Sequence, residues 1–399
     1  MINISPPPSE QPKHSSIKAT FDLAFRPFFL SGALFSVIGL LLWNVALTSP
    51  TLSATMYGGS LFWHKHEMLL GFVPAIMVGF LLTAVQTWTR VPSLHGKPLM
   101  ALMFIWLMGR VLMLLPTHVP LLVIAVVDSL FLPLSACALA YPIIKVKLWR
   151  NLFFIPILLL MAILNILMHF AVLTEQIQHI ANLSHIIVLL ITFVMCVMGG
   201  RVFPMFTANG TKTTKVEPIA WLEKIALGSV MFAIICGANL FPLPKELVAA
   251  VFILAGCAQF ARAVRWRIWV TFKTPLVWSL HISYLSIALG LIALGLAKLE
   301  LIFSYSQAIH ILTVGGMGTM ILSMISRVSL GHTGRMIVVG KLMTLALIAI
   351  VLSFVIRVFG SFIFADYLFV LKAATALWVF AYGAFFVFYL PILTTPRKL

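Results

Sequence analysis

FWHKHEMLLGFVPAIMVGFLLTAVQTW, residues 62–88, decides how this chain folds. From Met68 to Trp88 it carries no charged side chain, a length that crosses the hydrocarbon core of a bilayer as a helix. Reading outward, comparable apolar runs recur near 26–48, 98–115, 120–143, 151–172, 182–206, 219–241, 246–266, 276–297, 303–326, 338–361 and 366–391. Together they predict an all-α polytopic membrane protein of about twelve transmembrane helices. The composition agrees: 62% of residues are hydrophobic, 9% are charged, and mean hydropathy is +1.10. Little remains for a separate soluble domain. The expected organisation is a polar, Pro-rich tail over 1–20, read as disordered and lacking a signal-peptide core, one membrane domain over 21–393, and a short tail over 394–399.

Basic residues set the expected orientation. Lys and Arg crowd the tails and the even-numbered connections, whereas the opposite connections hold only Lys245 and Lys298. Both termini are therefore expected in the cytoplasm. The net charge of +17 reads as a topology signal and an attraction to anionic lipids. It does not read as nucleic-acid binding, because the charges are scattered over many short loops rather than gathered in a patch. Cys137, Cys196, Cys236 and Cys257 lie inside expected helices and form no CxxC or CxxCH pattern, which argues against disulfides, zinc knuckles and covalently attached haem.

With orientation set, six of the eleven histidines gather towards the outer face: His64 and His66, His169, His179, His185 and His310. Imidazole is the commonest metal ligand and the usual axial ligand of a b-type haem, which needs one or two histidines from facing helices. Histidines also sit well at membrane interfaces without any chemistry, an alternative that accounts for one histidine more easily than for six. His64 and His66 are two positions apart, a rotation of roughly 200°, so one helix can serve two centres. Glu67, three after His64, is expected on a neighbouring position for joint metal ligation or for orienting the imidazole; an ion pair with Lys65 is the plainer alternative. A carboxylate within a membrane segment is costly to place without a purpose. Gly315, Gly316 and Gly318 permit close approach of a helix or a flat macrocycle, helix packing being the commoner cause. Arg110 and Arg357 need anionic partners, which haem propionates, Glu67, Asp128 or Asp366 would supply.

A weak internal repeat appears at the inner ends of the second, sixth and tenth helices: Arg90-Val91, Arg201-Val202 and Arg327-Val328, each followed by a Gly-containing turn. It suggests three pseudo-repeated four-helix units. Twelve helices with ligands on the second, sixth and tenth are similar in plan to haem-copper oxidases and nitric oxide reductases, although their histidine-proline-glutamate motif is absent.

Further motifs are more specific. Phe25-Arg26-Pro27-Phe28-Phe29, Trp63 to Met68, Gly79 to Val85 with Trp88-Thr89, Gly200-Arg201-Val202-Phe203-Pro204, and His310 through Thr313-Val314-Gly315 to Arg327-Val328 and Gly331 to Arg335 resemble the NnrS family nearly end to end. The resemblance implies a multi-spanning protein of the bacterial inner membrane that contains haem and copper and is linked to nitric oxide metabolism or tolerance. Lys65 departs from the family, where a small residue is more common, and a cation there favours anionic partners. On this basis His64, His66, His185 and His310 are expected to ligate haem b or a second metal, with Arg110 and Arg357 beside them. Glu67 and His169 are expected at or beside the second metal, copper or another, and Glu67 as the proton donor of a nitric oxide-metabolising oxidoreductase. Electrons would come from quinol or a separate donor. The alternatives are a metal- or proton-coupled transporter, against which the outer position of the histidines counts, and a non-catalytic haem sensor or metal-delivery protein.

Overall fold

The computed structural model describes residues 16–239 and 241–398, so most of the expected N-terminal tail lies outside the described residues. Ser16–Thr20, within that stretch, form a short helix. Among the described residues eleven helices are long and apolar enough to cross a membrane: α1 Phe25–Ala46, α2 Ser60–Thr89, α4 Leu121–Lys145, α5 Trp149–Leu173, α6 Gln178–Thr211, α7 Ala220–Gly237, α8 Lys245–Val270, α9 Pro275–Lys298, α10 Tyr305–His332, α11 Lys341–Phe362 and α12 Tyr367–Leu393. The twelfth expected segment is α3, Gly96–Leu112, whose 17 residues are at the short end of the spanning range. No strand occurs among the described residues. The protein is a multi-pass all-helical membrane protein.

The apolar runs locate the helices well, and the departures have a physical cause. α6 continues to Thr211 and α10 to His332, beyond the apolar stretches, because polar side chains can finish a helix where it leaves hydrocarbon. The guanidinium of Arg327 on α10 lies over the Phe206 ring on α6, 4.1 Å from its centroid, so these extensions pack on each other. The three expected repeat points also end alike. α2 stops at Arg90 and α6 at Lys212, both left-handed, and Gly334 also has a positive φ just after α10.

α2, α6 and α10 meet inside the bundle, with α1, α11 and α12 closing it on one side and α3 to α5 on the other. Two interruptions mark α2 and α10. Glu67–Phe72 and Ile311–Gly318 are π-helical, each beginning one residue after a histidine, His66 and His310. Pro74 explains the first: it has no N–H, and its ring would press on the carbonyl four residues back, which a widened turn relieves. In the second, Gly315, Gly316 and Gly318 weaken the preference for the tighter helix, and the Thr319 hydroxyl donates to the carbonyl of Val314, 3.3 Å away and five residues back. Gly315 and Gly318 also admit the rings of Phe354 and Trp378, so helix packing accounts for these glycines.

The Phe25-Arg26-Pro27 motif has a structural task. Arg26 is buried and donates through Nη1 to the carbonyls of Leu393 (3.1 Å) and Thr395 (2.6 Å), the open C-terminal end of α12. Thr83 of α2 accepts from the Phe25 N–H at 2.9 Å. The first helix is thereby pinned to the last and to α2. Replacing Arg26 with Ala removes a buried cation bound to otherwise unsatisfied carbonyls and should cost about 3 kcal/mol of stability. The check is thermal unfolding in detergent, where Arg26→Ala melts well below wild type and Arg26→Lys between the two.

Candidate functional site

The first turns of α2 place His64 and His66 on opposite faces, as two successive steps of about 100° require. His64 faces a cavity of about 460 Å³ between α1, α2, α6, α10, α11 and α12. His66 is fully buried on the other side, among residues of α3, α4 and α5. One helix therefore serves two separate centres.

The cavity falls in the size range of small-molecule and cofactor sites. Its walls are mainly apolar, with His64, His185 and His310 from the three helices of the suspected repeat. His310 donates from Nδ1 to the Ser306 carbonyl at 2.7 Å, which leaves the Nε2 lone pair free. The His64 ring is stacked on Trp43 with centroids 4.5 Å apart, and its Nδ1 is buried without a hydrogen-bond partner. His185 is held differently. Its Nδ1 meets the Tyr305 hydroxyl, and its Nε2 lies against the Cα of Gly237, where a Cβ would approach it to 3.0 Å. Arg357 and Lys65 also line the cavity, and neither has an acidic partner among the described residues. Arg357 reaches the Ser306 hydroxyl at 3.3 Å and lies 5.8 Å from the Tyr367 ring.

The second centre is a buried ionic cluster. Asp128 sits where α4 breaks at Leu130 between Leu121–Ser129 and Phe131–Lys145. Its Oδ2 accepts from Asn165 Nδ2 at 2.8 Å and His169 Nε2 at 3.0 Å, and its Oδ1 accepts from Arg110. Arg110 also lies 3.3 Å from Glu67 Oε1. His66 places Nδ1 at 2.9 Å from Glu67 Oε1 and Nε2 at 2.8 Å from Asn165 Oδ1. The Asn165 amide is oriented by its donation to Asp128, so both ring nitrogens of His66 face oxygen atoms. Glu67 and Asp128 against Arg110 alone would leave −1 in an apolar interior, a deficit that a further cation beside them would fill. Tyr57, at the edge of the cluster, is 3.1 Å from His169 Nδ1, and burial pushes its phenol up, keeping it a proton donor.

Two glycines make the arrangement possible. A Cβ at Gly109 would lie 2.7 Å from Asp128 Oδ1, and a Cβ at Gly71 would overlap the Arg110 guanidinium. The Trp106 indole donates to the Gly71 carbonyl at 2.9 Å, tying α3 to the widened turn of α2.

His66, Asp128 and His169 offer ligand atoms all within 4.8 Å of one another, a group that could hold a metal ion. Glu67 Oε2 adds a buried lone-pair site with no hydrogen-bond donor among the described residues. Two imidazoles and a carboxylate are a donor set suited to zinc, copper or iron.

The expected site residues thus separate. His64, His185, His310 and Arg357 share the cavity; His66, Glu67, His169 and Arg110 share the cluster. Glu67 is not beside His64 and makes no pair with Lys65. The backbone from His64 to Glu67 is still α-helical, and the side-chain contacts decide: Arg110 and His66 Nδ1 hold the carboxylate on the opposite face. Arg110 is neutralised by Asp128 and Glu67, so it is not at the cavity. His179 is exposed and belongs to neither centre. Asn165 and Tyr57 were not expected as cluster members, and Asp128 was expected only as one of several possible partners of the two arginines.

A protein-family model described as NnrS protein matches residues 19–397. No curated protein matches the sequence. The chain belongs to the NnrS family.

Asp128→Asn leaves Arg110 with one long contact and costs His169 its acceptor charge. It should destabilise the protein by about 3–5 kcal/mol, more than Glu67→Gln, whose tie to Arg110 is weaker. Thermal melts of the two variants test the order; equal melts would contradict it.

Proposed function

We propose that this NnrS-family protein binds haem b in the histidine-lined cavity and a second metal ion, copper among the candidates, at the His66–Asp128–His169 group, and that it handles nitric oxide as a detoxifying protein. The observation that carries the reading is the joint presence, in one apolar cavity, of two imidazoles with nitrogens free for a ligand and two cations lacking acidic partners. An amphipathic, flat molecule that needs axial nitrogen ligands and carries carboxylates matches that combination.

His64 and His310 would hold the group, and Arg357 and Lys65 its acidic edge. Bound haem supplies one-electron chemistry and an affinity for diatomic gases. The chain does the rest. Ser306 keeps the Nδ1 proton on His310, so Nε2 presents its lone pair, and Trp43 fixes the plane of the His64 ring. Trp378, Met317 and Leu69 are among the walls that keep water out. On the far face of α2, Glu67 Oε1 lies 2.9 Å from His66 Nδ1, and this buried pair would be the store of protons for the reaction. At the second centre His169 Nε2 would lose its proton on ligation, while Nδ1 would donate to Tyr57 in place of accepting from it. The imbalance of −1 left by Glu67, Asp128 and Arg110 then favours a cation there. The expected orientation puts both centres towards the outer face, where electrons would come from quinol or a separate donor.

The test is a reduced-minus-oxidised absorption spectrum of the purified protein, before and after nitric oxide. A b-type signal that shifts with the gas supports the reading, and absence of haem in folded protein from haem-replete cells ends it. His310→Ala should lose haem or change its spectrum, whereas His185→Ala, whose ring is turned to Tyr305 and Gly237, should keep at least half the haem content. Loss of nitric oxide with a chemical reductant separates an enzyme from a sensor.

Removing His169 with Ala should lower the second metal at least tenfold with haem content unchanged, read by elemental analysis of the same samples. Unchanged metal would place the ion elsewhere.

A further inference from the structure

A second, smaller cavity of about 90 Å³ lies along the same three central helices. Stepping along each helix shows the relation. On α2, Val73 lines the large cavity and Ile76 the small one; on α10 the corresponding residues are Met317 and Met320, and on α6 Val188 and Val194. The small cavity is one to two turns deeper in the bundle.

Its lining sets it apart. Met77, Met195, Met198, Met320 and Met324 contribute, and all other wall residues are Val, Ile, Leu or Phe. Water would need two to four polar partners to occupy such a space, and none is offered. The volume is about three times a water's share of liquid, too small for a cofactor and suited to a molecule of two or three heavy atoms. Five thioethers make the wall unusually polarizable, which strengthens dispersion with a compact apolar guest. Ile76, Val194 and Met320 are buried, while Met77, Met198 and Met324 are half-buried, so the space opens towards the sides of the helices.

We propose that this cavity is a binding site for small apolar gases, molecules of the size and polarity of dioxygen, nitric oxide or xenon. As a gas site it stands on the cavity alone. Its use as an antechamber, from which nitric oxide passes along α2, α6 and α10 to the histidines, rests on the function proposed above.

Xenon is the probe, because it needs neither haem nor turnover. Crystals of the full-length protein pressurised with xenon should show anomalous density within the ring of Met77, Met195 and Met320. Val194→Phe, which places a ring in the space, should abolish that density and leave the rest of the structure unchanged. Absence of xenon from the wild-type site at saturating pressure overturns the proposal. So does ordered water, a metal ion or an acyl chain in its place. The wild-type crystals decide the matter if the variant does not fold. A failure here leaves the haem reading intact, and a haem-free protein that takes up xenon refutes the haem reading while supporting the gas site.

Discussion

A guanidinium inside an apolar bundle must be neutralised, and the way Arg110 meets that demand shapes the site end of this molecule. Asp128 and Glu67 flank it, and His66 Nδ1 meets the second carboxylate. To bring these groups together α3 must approach α4 at Gly109 and α2 at Gly71, where a Cβ would meet Asp128 and Arg110. α4 breaks beside Asp128. Once one face of α2 is committed to this cluster, the opposite face, with His64 and Lys65, is left for the cavity.

The same economy recurs in α10. There a π-helical stretch begins just after His310, as one begins just after His66 in α2. Such insertions re-aim side chains by a fraction of a turn and are common at functional positions. The parallel between α2 and α10, with α6 supplying His185 and a similarly placed left-handed end, falls on the three helices where the sequence suggested a repeat. Divergence among the three is chemical: His64 and His310 have nitrogens available, whereas His185 is engaged by Tyr305.

Much of this was legible in the residues. The apolar runs located twelve helices because a bilayer imposes one length scale on every segment. The projection of His64 and His66 to opposite faces followed from helical rotation alone. What escaped depended on contacts between segments distant in sequence. Arg110 had several acids within reach, and only the packing of α2, α3 and α4 selects Asp128 and Glu67. Asn165 and Tyr57 look like ordinary interior residues until the fold turns them to His66 and His169. Glu67 was expected beside His64 on backbone spacing alone, and only the approach of Arg110 from α3 and the contact with His66 turn its carboxylate away.

As proposed above, α2 separates two centres, each with its own metal chemistry. The most direct measurement is haem and metal content, determined together, in His64→Ala and His66→Ala. Crossed losses are expected: His64→Ala loses haem and keeps the second metal, and His66→Ala loses the metal and keeps haem. If each variant, still folded, lost both groups, or if neither lost anything, the two-centre account would be contradicted.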